Sequence, residues 1–172
     1  ITEQRPVEFN NIEIVAIEEH PQDELHKDRF PNLLVRSARD LLNALVRKDP
    51  PIAIDMLKEL LGKEHSIFRR LAISVVGSNW EVCADLYPLF AGSHMLNDYS
   101  LKHEIYVMLR DNFGSLSTEE KDRIIDWIEL GPITSENEKL EERYLASWRQ
   151  RWLSALVPSG YEKAIQLYQK YK

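Results

Sequence analysis

The sequence predicts an all-α protein, a right-handed stack of about eight antiparallel helices in hairpins over residues 31–172, entered through an irregular or short extended lead-in over residues 1–30. Gly and Pro punctuate the chain at near-regular intervals, and between them apolar residues recur at i, i+3 and i+4, the period of a helix buried by one face. Three Ser-x-x-Glu spacings, Ser117/Glu120, Ser135/Glu138 and Ser159/Glu162, mark helix starts, because each side chain can satisfy the other residue's free backbone N–H. Helices at intervals of about 16–24 residues leave only short connections, and short connections set neighbouring helices antiparallel.

The first helix, about residues 31–48, opens on Pro31, which a first turn tolerates, and carries the stripe Leu34, Ala38, Leu41, Leu42 and Leu45. Asp49 offers a cap oxygen ahead of Pro50 and Pro51, and the second helix runs through Ile54, Leu57, Leu60 and Leu61 to Gly62. The third, about 66–76, is apolar on most sides through Ile67, Leu71, Ala72, Ile73, Val75 and Val76, which predicts the most buried element. Trp80, Val82, Leu86, Leu89 and Phe90 give a fourth, interrupted near its end by Pro88. After a loop over 91–97, Asp98 can cap a fifth helix carrying Leu101, Ile105, Met108, Leu109 and Phe113 to Gly114. The sixth runs from Ser117 to Gly131-Pro132, a seventh reaches about Leu156, and the last follows Ser159. In the lead-in, residues 7–9 and 12–17 flank Asn10-Asn11, a pair that tolerates a tight turn, so a small β-hairpin and an irregular or helical entry are both compatible.

Within residues 60–77, Leu60 and Leu61 close one helix, Phe68 and Arg69 begin the next, Ala72 follows three positions after Arg69, and Val76-Gly77 ends it. That cadence resembles a HEAT repeat of the armadillo-type class, with Lys63 where the family usually has Asp. The resemblance implies an α-solenoid, an architecture that binds other molecules along an extended surface. At the level of the motif it covers one repeat; periodicity extends the architecture over 31–172. The cadence from Lys102 to Pro132 is similar to helical regions of large multidomain bacterial proteins that also carry NTPase or sensor domains. The start at Ile1 rather than Met is what a segment cut from a longer polypeptide would show, and equally a processed chain.

A hydrophobic share of 44% with 29% charged residues is ordinary for a globular protein. No apolar run approaches the roughly 20 residues of a membrane-spanning helix, and no basic-then-apolar leader is visible. Cys83 is the only cysteine, which excludes an internal disulfide framework and any multi-cysteine metal site and fits a reducing cytoplasm. The net charge of −6 opposes nucleic-acid binding at long range. Charge is uneven, however: residues 1–29 hold eight acids against three bases, and residues 139–172 seven bases against three acids.

His103-Glu104 is the strongest candidate for acid–base chemistry or paired metal ligands, but neighbours on a helix point about 100° apart, and position 107 is Val, so the HExxH spacing is absent. His65 and His94 fall at helix boundaries, where capping explains them. Glu119, Glu120, Asp122 and Asp126 supply the carboxylates a glycosidase needs, and equally a solvated helix face. Cys83, between Val82 and Ala84, reads as an inert buried thiol. There is no Walker A loop and no dinucleotide fingerprint. Tyr144, Trp148 and Trp152 recur every four residues with Arg143, Arg149 and Arg151 around them. These are residue types of binding hot spots, and equally the core of an amphipathic helix.

The expectation is a non-catalytic scaffold that contacts another protein or an adjacent domain, with no cofactor and no metal, Tyr144, Trp148, Arg149, Arg151 and Trp152 being the candidate binding residues. One alternative is a HEAT-like nucleic-acid binder using the same Trp/Arg helix, which requires those rings on a concave basic face. Another is a hydrolase centred on His103 and Glu104 with a carboxylate from the sixth helix.

Overall fold

A computed structural model describes residues 17–18, 30–133 and 141–172. Among them the regular structure is entirely helical: α1 (Phe30–Lys48), α2 (Pro50–Leu61), α3 (Ser66–Ser78), α4 (Trp80–Cys83), α5 (Lys102–Asn112), α6 (Thr118–Leu130), α7 (Glu142–Leu156) and α8 (Glu162–Lys170). The expected turn at Asn10-Asn11 and the Ser135/Glu138 spacing lie outside the described residues.

Helix α1 packs on α2 and α3, α2 on α3, α3 on α5, α5 on α7, and α7 on both α6 and α8. The odd-numbered helices thus touch in succession, and one apolar cluster runs from Val35 and Leu42 through Ile73, Ile105 and Ile124 to Leu153 and Ala164. Helix α3 is buried along Leu71, Ala72, Ile73, Val75 and Val76, as its all-round apolar pattern predicts. Gly77 does not end it. It lies within the helix, where a Cβ would sit 3.4 Å from the Cβ of Met108, so its lack of a side chain lets α3 and α5 approach closely. Asn112 reinforces that approach by donating to the Gly77 carbonyl at 3.0 Å.

The stripe expected on α1 is only half right. Asn32, Val35, Leu42 and Val46 are the buried residues, while Leu34 and Leu41 are 54% and 71% exposed. Helix α1 carries two apolar rows, and its neighbours cover the one through Val35, Leu42 and Val46. Phe30, Leu34 and Leu41 share the outward row, with Ile52 and Met56 exposed on α2.

Asp49 caps α2 as expected, accepting from the Ile52 amide at 3.3 Å, but Gly62 ends the helix at φ −81°, without using the left-handed region. The fourth helix lasts one turn and passes at Ala84 into a 3-10 segment to Leu89, since Pro88 cannot donate an α-helical bond. Asp98 does not cap α5: it accepts from the Ser100 amide at 3.0 Å, holding a turn before the helix, and Leu101 precedes α5 with no side-chain cap. At α6 the capping box is complete. The Glu120 amide donates to Ser117 Oγ at 3.2 Å and the Ser117 amide to Glu120 Oε2 at 3.0 Å. No such box forms at Ser159, whose hydroxyl donates back to the Leu156 carbonyl at 2.6 Å while the chain turns through Gly160 at φ 73°.

Candidate functional site

Glu104 is the only charged residue in the core among the described residues. An ionised carboxylate removed from water needs strong partners. The packing of α3 on α5 provides one: Arg70 Nε donates to Oε2 at 3.0 Å and Nη2 to Oε1 at 2.9 Å, the two-pronged geometry that a planar guanidinium makes with a carboxylate. The third donor comes from far away in sequence, since the Ile17 amide reaches Glu104 Oε1 at 3.2 Å.

Ile17 is completely buried. Its carbonyl accepts from Arg39 Nη1 of α1 at 2.9 Å, so both of its backbone polar groups are satisfied by side chains from the helices. Beside it lies a cavity of about 60 Å³ lined by Ile73, Ser74, Gly77, His103, Val107 and Met108. The next residue is held as well: His103 Nε2 donates to Glu18 Oε1 at 3.0 Å. Helices α1, α3 and α5 therefore form a clasp, with one apolar seat, two groups that read backbone and an imidazole for the acid that follows.

His103 and Glu104 diverge as helix neighbours must, yet they serve the same segment from adjacent positions. Three of the four acids singled out on α6 are engaged elsewhere. Asp122 accepts from Lys163 at 3.0 Å and from the Tyr161 hydroxyl at 3.2 Å, Asp126 lies 3.6 Å from Lys163, and Glu120 belongs to the capping box. Among the described residues no group of three or more His, Cys, Asp or Glu could hold a metal ion. Cys83 is buried, and burial raises its thiol pKa above the ordinary 9.0, which disfavours the thiolate.

The aromatic stripe of α7 does not form one accessible surface. Trp148 and Trp152 are 8% and 1% exposed, packed edge to face with centroids 6.4 Å apart, and Trp152 also meets Tyr106 of α5. Tyr144 is half exposed. Arg149 turns toward α6 and the C-terminus, donating to the Glu129 carbonyl at 2.7 Å and lying 5.3 Å over the Tyr171 ring. Arg151 points instead toward a second, larger cavity beside Arg70 and His103. The stripe corrects the requirement for stacking rings on a basic face, because the i, i+4 period that aligned the rings also aimed them at α5 and the core.

Arg39, Arg70 and Ile17 escaped the reading of the sequence. A signal for Arg70 existed, since a guanidinium in so apolar a helix needs a buried acid, and Glu104 sits on the next long apolar segment. Nothing local marks Ile17, which meets its partners across 22 and 87 residues. No family model matches the chain, and no curated protein or solved structure matches it. Among the described residues no helix is long and apolar enough to cross a membrane.

Proposed function

We propose that the protein is a non-catalytic, cytoplasmic interaction scaffold, an irregular HEAT-like repeat whose odd-numbered helices offer a seat for a linear polypeptide segment. The observation that carries this reading is the clasp on Ile17: Arg39 and Glu104 take its carbonyl and amide while its side chain is buried. Recognition through the main chain is indifferent to sequence, and the apolar seat and His103 add preference for an aliphatic residue followed by an acid. The row of contacts from α1 through α3 and α5 to α7 and the short connections support the solenoid form. The outward row of Phe30, Leu34 and Leu41 is apolar surface of the kind that packs against a neighbouring protein or domain.

A peptide array probed with the whole chain carrying Ile17→Asp, which empties the seat its own residue fills, tests the reading. Peptides bearing an aliphatic-acidic pair should bind and protect α3 and α5 from hydrogen exchange. Protection confined to other helices would contradict the seat, and turnover of any substrate by the purified chain would contradict the non-catalytic part.

A further inference from the structure

Lys102 at the start of α5 and Arg151 on α7 line a cavity of about 560 Å³ together with Arg70, Tyr99, His103 and Tyr106. That size falls within the range of small-molecule sites, about 300–1,000 Å³. Among the described residues Glu104 is the one carboxylate in its lining, and it is held by Arg70. Neither Lys102 nor Arg151 forms an ion pair among the described residues. In a chain of net charge −6, helix packing thus brings two cations together with no counter-charge of their own among the described residues. Burial first, then the nearby Arg151 charge, lowers the pKa of Lys102.

Two hydroxyls of the lining have no proton to give a ligand. Ser154 Oγ donates to the Arg151 carbonyl at 2.6 Å, and Tyr106 donates to Ser154 Oγ at 3.0 Å, so both protons are already committed. The charged donors on offer to a ligand are Lys102 and Arg151, and Lys102 opens α5, a helix that starts without a side-chain cap. Unsatisfied amides at a helix start favour an anion. At the rim the Tyr99 ring is 86% exposed with the Lys102 ammonium 5.4 Å from its centroid, which offers a flat face beside the positive charge. A bare phosphate would leave most of the cavity empty, and the overall negative charge opposes a polynucleotide.

We propose that this cavity binds a small organic phosphate, its phosphate group between Lys102, Arg151 and the first turn of α5 and its organic part against Tyr99. This cavity adjoins the seat of Ile17 and shares His103 and Glu104 with it, but its cations Lys102 and Arg151 belong to the cavity alone, and the proposal does not rest on the scaffold reading. Calorimetric titration of the whole chain with inorganic phosphate and with adenosine monophosphate tests it, with the amide resonances followed in parallel. Both probes should saturate, the nucleotide more tightly, and the Lys102 and His103 amides should move most. Lys102→Gln and Arg151→Gln should each weaken binding roughly tenfold, the loss expected for one charge-assisted hydrogen bond, while Lys58→Gln on α2 leaves it unchanged. Absence of saturation by either probe, equal affinity for both, or shifts centred away from α5 would overturn the proposal. The resonance map of the unaltered chain decides the location even if a variant unfolds.

Discussion

Arg70 on α3 and Glu104 on α5 meet through two hydrogen bonds of 3.0 and 2.9 Å, and the same carboxylate accepts the Ile17 amide at 3.2 Å. Removing the carboxylate breaks both bonds: Glu104→Ala takes the paired charge from a mostly buried guanidinium and should cost about 3–5 kcal/mol. Replacing both by apolar residues, Arg70→Met with Glu104→Leu, should cost less, about 1–3 kcal/mol, because the Ile17 amide is then the main group left unsatisfied. Urea unfolding of the two variants checks the order. A double replacement costlier than Glu104→Ala would contradict the ion pair as the basis of the effect.

The α7 stripe should separate cleanly by position. Trp152→Ala opens a large core cavity and should cost about 3–5 kcal/mol, whereas Tyr144→Ala, on a half-exposed ring, should stay within about 0.5 kcal/mol. Thermal unfolding of both variants measures the contrast. Equal effects would mean that the stripe shares one environment.

Helix α8 is tied to α6 by charge, and its attachment should depend on pH at both extremes. The Lys163 hydrogen bond holds Asp122 below its ordinary 3.8, so this stabilisation is present above that value and lost as pH falls through the lower folded pKa. Lys163 is raised above 10.5, first by its bond to Asp122, so its share is present below 10.5 and lost as pH rises through the higher folded pKa. Asp122→Asn should flatten the acid limb of melting temperature against pH. The difference should be modest and shrink with salt, because the pair is exposed.

Helix placement was legible in the sequence wherever a local rule sufficed. The capping box at Ser117 and Glu120, the cap at Asp49 and the all-round apolar α3 each depend on residues within one or two turns. The same logic failed where a neighbour decides. On α1, periodicity selects two rows equally, and the packing of α2 and α3 determines that Leu42 is covered and Leu41 is not. Ser159 has the right spacing for a cap, but its hydroxyl bonds backward to Leu156 instead. His103 and Glu104 stood out as a pair worth notice. Their work as two parts of one clasp could not be read locally, since Arg39, Arg70 and Ile17 come from three distant parts of the chain.

The seat on α3 and α5 is tested most directly by supplying the segment separately. The full chain with Ile17→Asp, which places a charge where a buried aliphatic belongs, can be titrated with a synthetic peptide of residues 11–22 while amide resonances are recorded. Saturable shifts at Ile73, Gly77, His103 and Met108, absent when the peptide itself carries Ile17→Asp, are the predicted result. Binding that ignores the residue at position 17, or no saturable shift on α3 and α5, would contradict the claim that this face receives a linear segment.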